Sequence, residues 1–308
     1  MNPKKYEIII LGGGAAGLTA ALYGCRYGLS VLLLEEVALG GQILTAAEIE
    51  NYPGVAKQLN GAELIEELEN QVRKYPAKIV YERITHVDFS KPVKRITTNK
   101  SCYESHVIIL ATGRRPRKLS LAREEFMLGR GVSYCATCDG NFFRGKPVAV
   151  VGGGDTAVTE ALFLSNICKK VYLIHRQNDL LAVGVEVAKL KRAPNVEFLL
   201  NSQVTALMGE KNLEGIVVQT GDATRRLEVN ALFVAIGATP NTNIFFESLE
   251  LSDDGYIITN EEMETSIPGI FAAGDIRKKS LRQVITAAAD GAIAAQSSML
   301  FYTSLKNV

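Results

Sequence analysis

The chain has 308 residues, 47% apolar and 22% charged, with 34 basic side chains against 33 acidic ones and a net charge of +1. That length accommodates two ordinary domains with substantial cores, and the near-neutral charge, with no long basic run, leaves no electrostatic footprint for nucleic acid. The first apolar run, Ile8 to Leu11, is too short for a secretory core or a membrane span, and five cysteines, an odd number, suit a reducing compartment, so the protein is expected in the cytoplasm and off the membrane.

Glu7 to Leu11 predicts a strand that runs into Gly12-Gly13-Gly14-Ala15-Ala16-Gly17, with Leu18, Ala21, Leu22 and Cys25 following at helical spacing. Strand, glycine turn and helix give G-x-G-x-x-G its meaning. Gly12 permits the turn, Gly14 lets a pyrophosphate approach, and Gly17 lets helix meet strand. The helix N-terminus offers its unpaired N–H groups to the phosphate. A second strand, Ser30 to Leu34, ends in Glu35, where an acid accepts ribose hydroxyls. Ala38 to Gln42 and the turn Asn51-Tyr52-Pro53-Gly54 form an irregular segment of the kind that lines ligand sites. Gly61 to Tyr75 reads as an amphipathic helix. Val107 to Leu110 is a buried strand closing on Ala111-Thr112-Gly113, and Arg114 to Arg117, with Pro116, reads as a linker.

Cys135-Ala136-Thr137-Cys138 stands between this unit and a second like it. Two cysteines at this spacing either form a redox dithiol or half a zinc site. The remaining Cys25, Cys102 and Cys168 are isolated, and His86, His106 and His175 lie at no ligand-like spacing, which favours redox chemistry. The pattern then begins again. Val148 to Val151 is a strand, Gly152-Gly153-Gly154-Asp155-Thr156-Ala157 is a second glycine motif, Lys170 to Ile174 leads into His175-Arg176, and Leu232 to Ile236 closes on Gly237 as the first half closes on Gly113. This is a duplicated unit, and it implies two dinucleotides.

Thr239 to Asn243, with Pro240, is a second linker. Beyond it come the strand Ile270 to Ala273, Gly274-Asp275, and a helix from Leu281 to Tyr302 with no glycine motif of its own. The tail is therefore expected to complete the first domain. The organisation is α/β, two Rossmann-like dinucleotide-binding domains with the second inserted into the first: residues 1–117 and 245–308 form one, and 118–244, carrying the C-x-x-C, the other. Two Pro-containing linkers suit a hinge.

The Gly12 motif, Gly40-Gly41-Gln42, Ala111-Thr112-Gly113, the run Gly131 to Gly140, Gly152 to Ala157, and Gly274-Asp275 with Arg282-Gln283 occur in the order seen in the low-molecular-weight bacterial thioredoxin reductases, which the chain resembles across nearly its whole length. The resemblance implies FAD at Gly12, Gly14, Ala15, Gly17, Glu35, Gly41, Gln42, Asn51, Ala111, Gly113, Asp275, Arg282, Gln283 and Val284. It implies a nicotinamide coenzyme at Gly152, Gly154, Asp155, Thr156, Ala157, His175, Arg176 and Ile236, a thioredoxin as the substrate, and a homodimer. It also places Cys138 beside the flavin, leaves Cys135 to attack thioredoxin, and makes Asp139 the acid/base for the pair. Arg130, Phe142 and Phe143 flank the dithiol as candidate docking residues.

One departure matters. The NADPH-using enzymes show His-Arg-Arg-x-x-x-Arg, and here the run is His175-Arg176-Gln177-Asn178-Asp179-Leu180-Leu181. A 2′-phosphate wants guanidinium forks, and an NADH site usually has an acid at the strand end. This run supplies one arginine and no strand-end acid, so NADPH, NADH and a donor that is not a nicotinamide all stay open, as do a related flavin disulfide reductase and a thiol oxidase.

Overall fold

The computed structural model of the chain describes residues 3–46, 49, 51–55, 59–182, 184–245 and 247–306. They divide into two compact units: Met1–Leu44 with Tyr52–Arg115 and Thr239–Val308, and Thr45–Asn51 with Pro116–Ala238. The α-helices among the described residues are α1 (Ala15–Arg26), α2 (Gly61–Val72), α3 (Ala136–Asp139), α4 (Asp155–Ser165), α5 (Val185–Arg192) and α6 (Val284–Lys306).

The first unit is built on a parallel sheet in the order Ile270–Ala272, Val107–Leu110, Ile8–Leu11, Val31–Glu35, Lys78–Tyr81. Ile8–Leu11 is apolar throughout because both its faces are covered. Ile8 and Ile10 pack with Leu18 of α1, Ile65 of α2 and Ala294 of α6. Ile9 and Leu11 pack on the other side with Ile96 and Tyr103 of an antiparallel sheet. The side chains of Ile8, Ile9, Ile10, Leu11, Leu18 and Ile96 are fully buried, which contributes roughly 1.5–3 kcal/mol apiece. The tail re-enters this sheet through Ile270–Ala272.

Asn60 and Glu63 close a reciprocal capping box on α2: Asn60 Oδ1 accepts the Glu63 N–H at 3.0 Å and Glu63 Oε2 accepts the Asn60 N–H at 2.7 Å. By length and composition α6 is apolar enough to cross a membrane, and packing accounts for its small residues. Ala288, Gly291, Ala294, Ala295 and Ser298 are buried, and Ala294 and Ala295 lie in the core cluster that holds Leu18 and Ala21 of α1.

The second unit repeats the plan. Its parallel sheet runs Val132–Ser133, Ala231–Val234, Pro147–Val151, Lys170–Ile174, Val196–Leu199. Val148 and Val150 face α4 and α5 through Ala161, Leu164 and Leu190. Ala149 and Val151 face a three-stranded antiparallel sheet through Val204, Ile216 and Leu227. Four strands correspond one to one with the first unit. The fifth, outer strand comes from the tail in the first unit and from the segment just before the C-x-x-C in the second. That gives Val132–Ser133 a structural duty: it pins the dithiol segment to its sheet.

The two segments read as linkers lie where the chain passes between the units, and part of each is a short strand. Arg114–Pro116 and Ala238–Pro240 pair as a two-stranded ribbon. Beside it, the Asn241 amide donates to Thr112 O at 2.6 Å and Arg115 Nε donates to Asn241 Oδ1 at 2.8 Å.

Candidate active site

The first glycine turn is shaped by contacts that only hydrogen allows. Gly12 has φ +106°, and a Cβ there would lie 2.4 Å from Ala111 O; a Cβ on Gly17 would lie 1.9 Å from Gly12 O. A Cβ on Gly14 would meet only Gly40 O, at 3.9 Å, so the space in front of the α1 N-terminus is open for a phosphate. Glu35 braces the turn: Oε2 accepts Gly13 N–H at 2.8 Å and Oε1 accepts Glu36 and Val37 N–H at 2.8 and 3.1 Å. A carboxylate has about four acceptor positions, so one remains for a ribose hydroxyl. Gln42, in the turn beginning at Gly41, donates to Arg114 O at 2.7 Å. Asn51 is exposed and is grouped with the second unit.

In the same unit the strand Ile270–Ala272 delivers Gly274 and Asp275 into a cluster of charges. Asp275 Oδ2 lies 3.5 Å from Arg114 Nε, and Lys279 Nζ lies 3.9 Å from Asp275 Oδ1. Burial pushes the Asp275 carboxyl above its usual range, against the pull of Arg114, Lys279 and Arg282. Arg282 stacks on the Tyr256 ring, 4.2 Å from its centroid. Arg114 Nε, Asp275 Oδ1 and Arg282 Nε are all buried without a hydrogen-bond partner. Buried polar atoms of this kind are costly, and a polar ligand would satisfy them. With the open glycine turn, they fit a dinucleotide such as FAD. Val284 begins α6, and the Gln283 N–H donates to Thr286 Oγ1 at 3.1 Å.

In the second unit Cys135 and Cys138 are joined as a disulfide, with Cα atoms 5.3 Å apart. Cys135 caps α3, and its carbonyl accepts the N–H groups of Cys138 and Asp139 at 3.3 and 3.1 Å. Ser133, held by the short outer strand, accepts the Cys135 N–H at 3.0 Å and donates to Asp139 Oδ2 at 2.6 Å. Asp139 Oδ1 is buried without a partner, and burial raises the carboxyl's pKa while the Ser133 bond lowers it. A carboxyl adjoining a dithiol and biased toward its protonated form is suited to proton transfer there. The Thr137 hydroxyl lies 3.4 Å from Cys135 Sγ and is the donor while the sulfur is in a disulfide. Tyr134 donates to Glu124 at 2.8 Å, and Glu124, 2% exposed, also accepts Leu119 and Leu121 N–H. Cys25 and Cys168 are buried, and burial pushes the Cys168 thiol up to about 11.

The second glycine turn mirrors the first except at its strand end. The His175 side chain occupies the place of Glu35: a Cβ on Gly153 would sit 2.4 Å from its ring, as one on Gly13 would sit 3.2 Å from Glu35 Oε2. His175 is 6% exposed, with Nε2 lacking a partner. Leu181 and Ala182 N–H groups donate to Gly153 O at 2.8 and 3.0 Å, fastening the 177–182 segment to the turn. Asp155 and Thr156 are exposed at the start of α4, as are Arg176, Gln177 and Leu181. Ile236 is half-buried just past the strand Ala231–Val234.

Residues 6–291 match the model of the pyridine nucleotide-disulphide oxidoreductase family. A thioredoxin reductase of Treponema pallidum (strain Nichols) is 44% identical over 305 residues, covering 98% of this chain and 99% of that one. The crystal structure of a thioredoxin reductase from Streptococcus pyogenes MGAS5005 superposes with a TM-score of 0.93 at 37% identity, covering 98% and 100% of the two chains. The chain belongs to the thioredoxin reductase family. Another solved member, a ferredoxin-flavin thioredoxin reductase from Clostridium acetobutylicum, is 29% identical over 100% of both chains, with a TM-score of 0.54. The family is one of flavin-dependent disulfide oxidoreductases that use FAD and a nicotinamide coenzyme, and the resemblance read from the motifs is thereby shown.

Ser133, Glu124 and Arg114 had no assigned part in the site from the sequence alone. Ser133 carried a weak signal, a hydroxyl two residues before the first cysteine. Glu124 and Arg114 carried none, because they lie outside the motifs and meet Tyr134 and Asp275 only in the fold.

Proposed function

We propose that this chain reduces the disulfide of a thioredoxin, drawing electrons from a nicotinamide coenzyme through FAD and the Cys135–Cys138 pair. The observation that carries the reading is that disulfide, held at the head of α3 with Asp139 tied to Ser133 beside it, in a chain 44% identical to a named thioredoxin reductase. FAD, when bound, supplies the two-electron chemistry that side chains lack. Gly12, Gly14, Ala15, Gly17, Glu35, Gly41, Gln42, Asn51, Ala111, Gly113, Asp275, Arg282, Gln283 and Val284 would hold it; Gly152, Gly154, Asp155, Thr156, Ala157, His175, Arg176 and Ile236 would hold the coenzyme. Reduction of the pair takes two electrons and two protons. Asp139 relays a proton to and from the thiols. Cys135 as thiolate attacks the thioredoxin disulfide and expels one thioredoxin thiolate; Cys138 then attacks Cys135 Sγ, closing the pair and releasing the other.

The 175–181 run is suited to weak 2′-phosphate recognition, since Arg176 is its one arginine and the exposed Gln177 and Leu181 stand where further arginines would be, leaving Lys189, Lys191 and Arg192 of α5 as the cations that could substitute. The same gap favours a second reading, an iron–sulfur protein as the donor, which the name of the Clostridium relative supports. An exposed apolar row on α6, Ile285, Ile293 and Leu300, supports a homodimer, and we place the protein in the cytoplasm without nucleic-acid or membrane partners. Steady-state reduction of a bacterial thioredoxin, followed as new thiol, tests the reading. Turnover should vanish in both Cys135→Ser and Cys138→Ser, and turnover that survives either change contradicts it.

A further inference from the structure

Asp290 is a buried acid that the reaction as described does not use. It lies on α6, 7% exposed. Its Oδ2 accepts the Gly274 N–H at 3.0 Å and Lys279 Nζ at 2.8 Å, and its Oδ1 accepts Arg277 Nη1 at 2.9 Å. One carboxylate thus ties down the backbone just before Asp275 and two cations from the segment just after it. Lys279 reaches both acids, since its Nζ is also 3.9 Å from Asp275 Oδ1. The next residue sets the depth of α6: a Cβ on Gly291 would lie 2.2 Å from Ala16 O, so the helix backbone rests on the glycine motif itself. Gly274, at φ +79°, meets the same residue, with a Cβ only 2.9 Å from Ala16 Cβ. The phosphate-binding turn and the Asp275 turn are therefore braced by one stretch of α6.

The charges in this cluster do not balance. Asp275 and Asp290 face Arg114, Arg277, Lys279 and Arg282. Deleting one member of such a buried group leaves its partners uncompensated. FAD is anionic and gains electrons on reduction, so its affinity and its potential both report the local charge.

We propose that Asp290 is a positioning residue of the FAD pocket, fixing the Gly274–Asp275 turn and limiting its positive charge, and so setting how tightly FAD is held and how readily it is reduced. The proposal rests on the reading of the first unit as the FAD domain.

The test uses purified holoenzyme and the variants Asp290→Asn and Lys279→Met. FAD retention is measured by fluorescence after dialysis, potential by equilibration with a reference dye, and folding by thermal denaturation. Asparagine keeps an acceptor for the Gly274 N–H but removes the negative charge. It should favour reduced over oxidised FAD by about tenfold, which is about +30 mV for a two-electron couple. Lys279→Met removes a positive charge and should move the ratio about tenfold the other way. Lys279→Met, which removes a positive charge facing an anionic ligand, should release FAD more readily than wild type. Opposite signs are the signature, because a merely structural residue would lower the melting temperature and leave the potential alone. Unchanged potentials, or shifts of the same sign, overturn the role of Asp290 while leaving the FAD reading intact. Were Asp290→Asn not to fold, Lys279→Met decides alone, by a lowered potential or by none. A wild-type protein that cannot take up FAD overturns both.

Discussion

The proposed dithiol chemistry turns on three side chains, Cys138, Asp139 and Ser133. Asp139→Asn keeps an acceptor for the Ser133 hydroxyl, 2.6 Å away in the native chain, and removes the titrating proton. Thioredoxin reduction should fall about 100-fold or more, the usual worth of a positioned acid or base, while flavin reduction by coenzyme is unchanged. The same substitution has a stability signature. Burial raises the Asp139 pKa in the folded chain, so the fold favours its protonated form. That contribution is complete below the ordinary carboxyl pKa of about 4 and is lost as pH rises through the raised value. Urea midpoints of Asp139→Asn and wild type should therefore be closest near pH 3 and separate in favour of the variant toward pH 7; a constant difference would contradict a raised pKa.

Among the elements, α2 offers a clean measurement. Asn60→Ala removes one side of its capping box and should cost about 1 kcal/mol in urea unfolding, with little effect on turnover. The elements most legible in the sequence were those dictated by local rules. Ile8–Leu11 and Val148–Val151 are apolar runs meeting glycine turns, and no other element type suits that pattern with both faces covered. The strand Lys170–Ile174 was read to the residue, and α6 began at Val284 instead of Leu281. What the sequence hid depends on partners far along the chain. Arg114–Pro116 looks like a linker until Ala238–Pro240 pairs with it. Val132–Ser133, two residues long, is a strand only because Ala231–Val234 lies beside it. Asp290 looks like a stray acid in an alanine-rich helix until Arg277, Lys279 and Gly274 converge on it. Motif residues were legible because their spacing is their function, whereas the residues that orient them answer to packing, which one sequence does not display.

Over the whole molecule, duplication explains why one chain serves two nucleotides. The same strand order recurs in both units, and the difference lies at the strand end, where Glu35 braces the first turn and His175 packs on the second. Restoring guanidinium forks with Gln177→Arg and Leu181→Arg should raise the preference for NADPH over NADH, measured as the ratio of kcat/KM, by about tenfold or more. No change in that ratio would mean that the 2′-position is read elsewhere. The most direct measurement is anaerobic absorbance of the bound flavin after mixing with NADPH or NADH, followed by addition of an oxidised thioredoxin. Bleaching by a nicotinamide and recovery of colour on adding thioredoxin are expected, with recovery lost in Cys138→Ser. If neither coenzyme bleaches the flavin while chemically reduced enzyme still reduces thioredoxin, electrons do not enter through the second glycine turn, and the claim that a nicotinamide drives this reductase is contradicted.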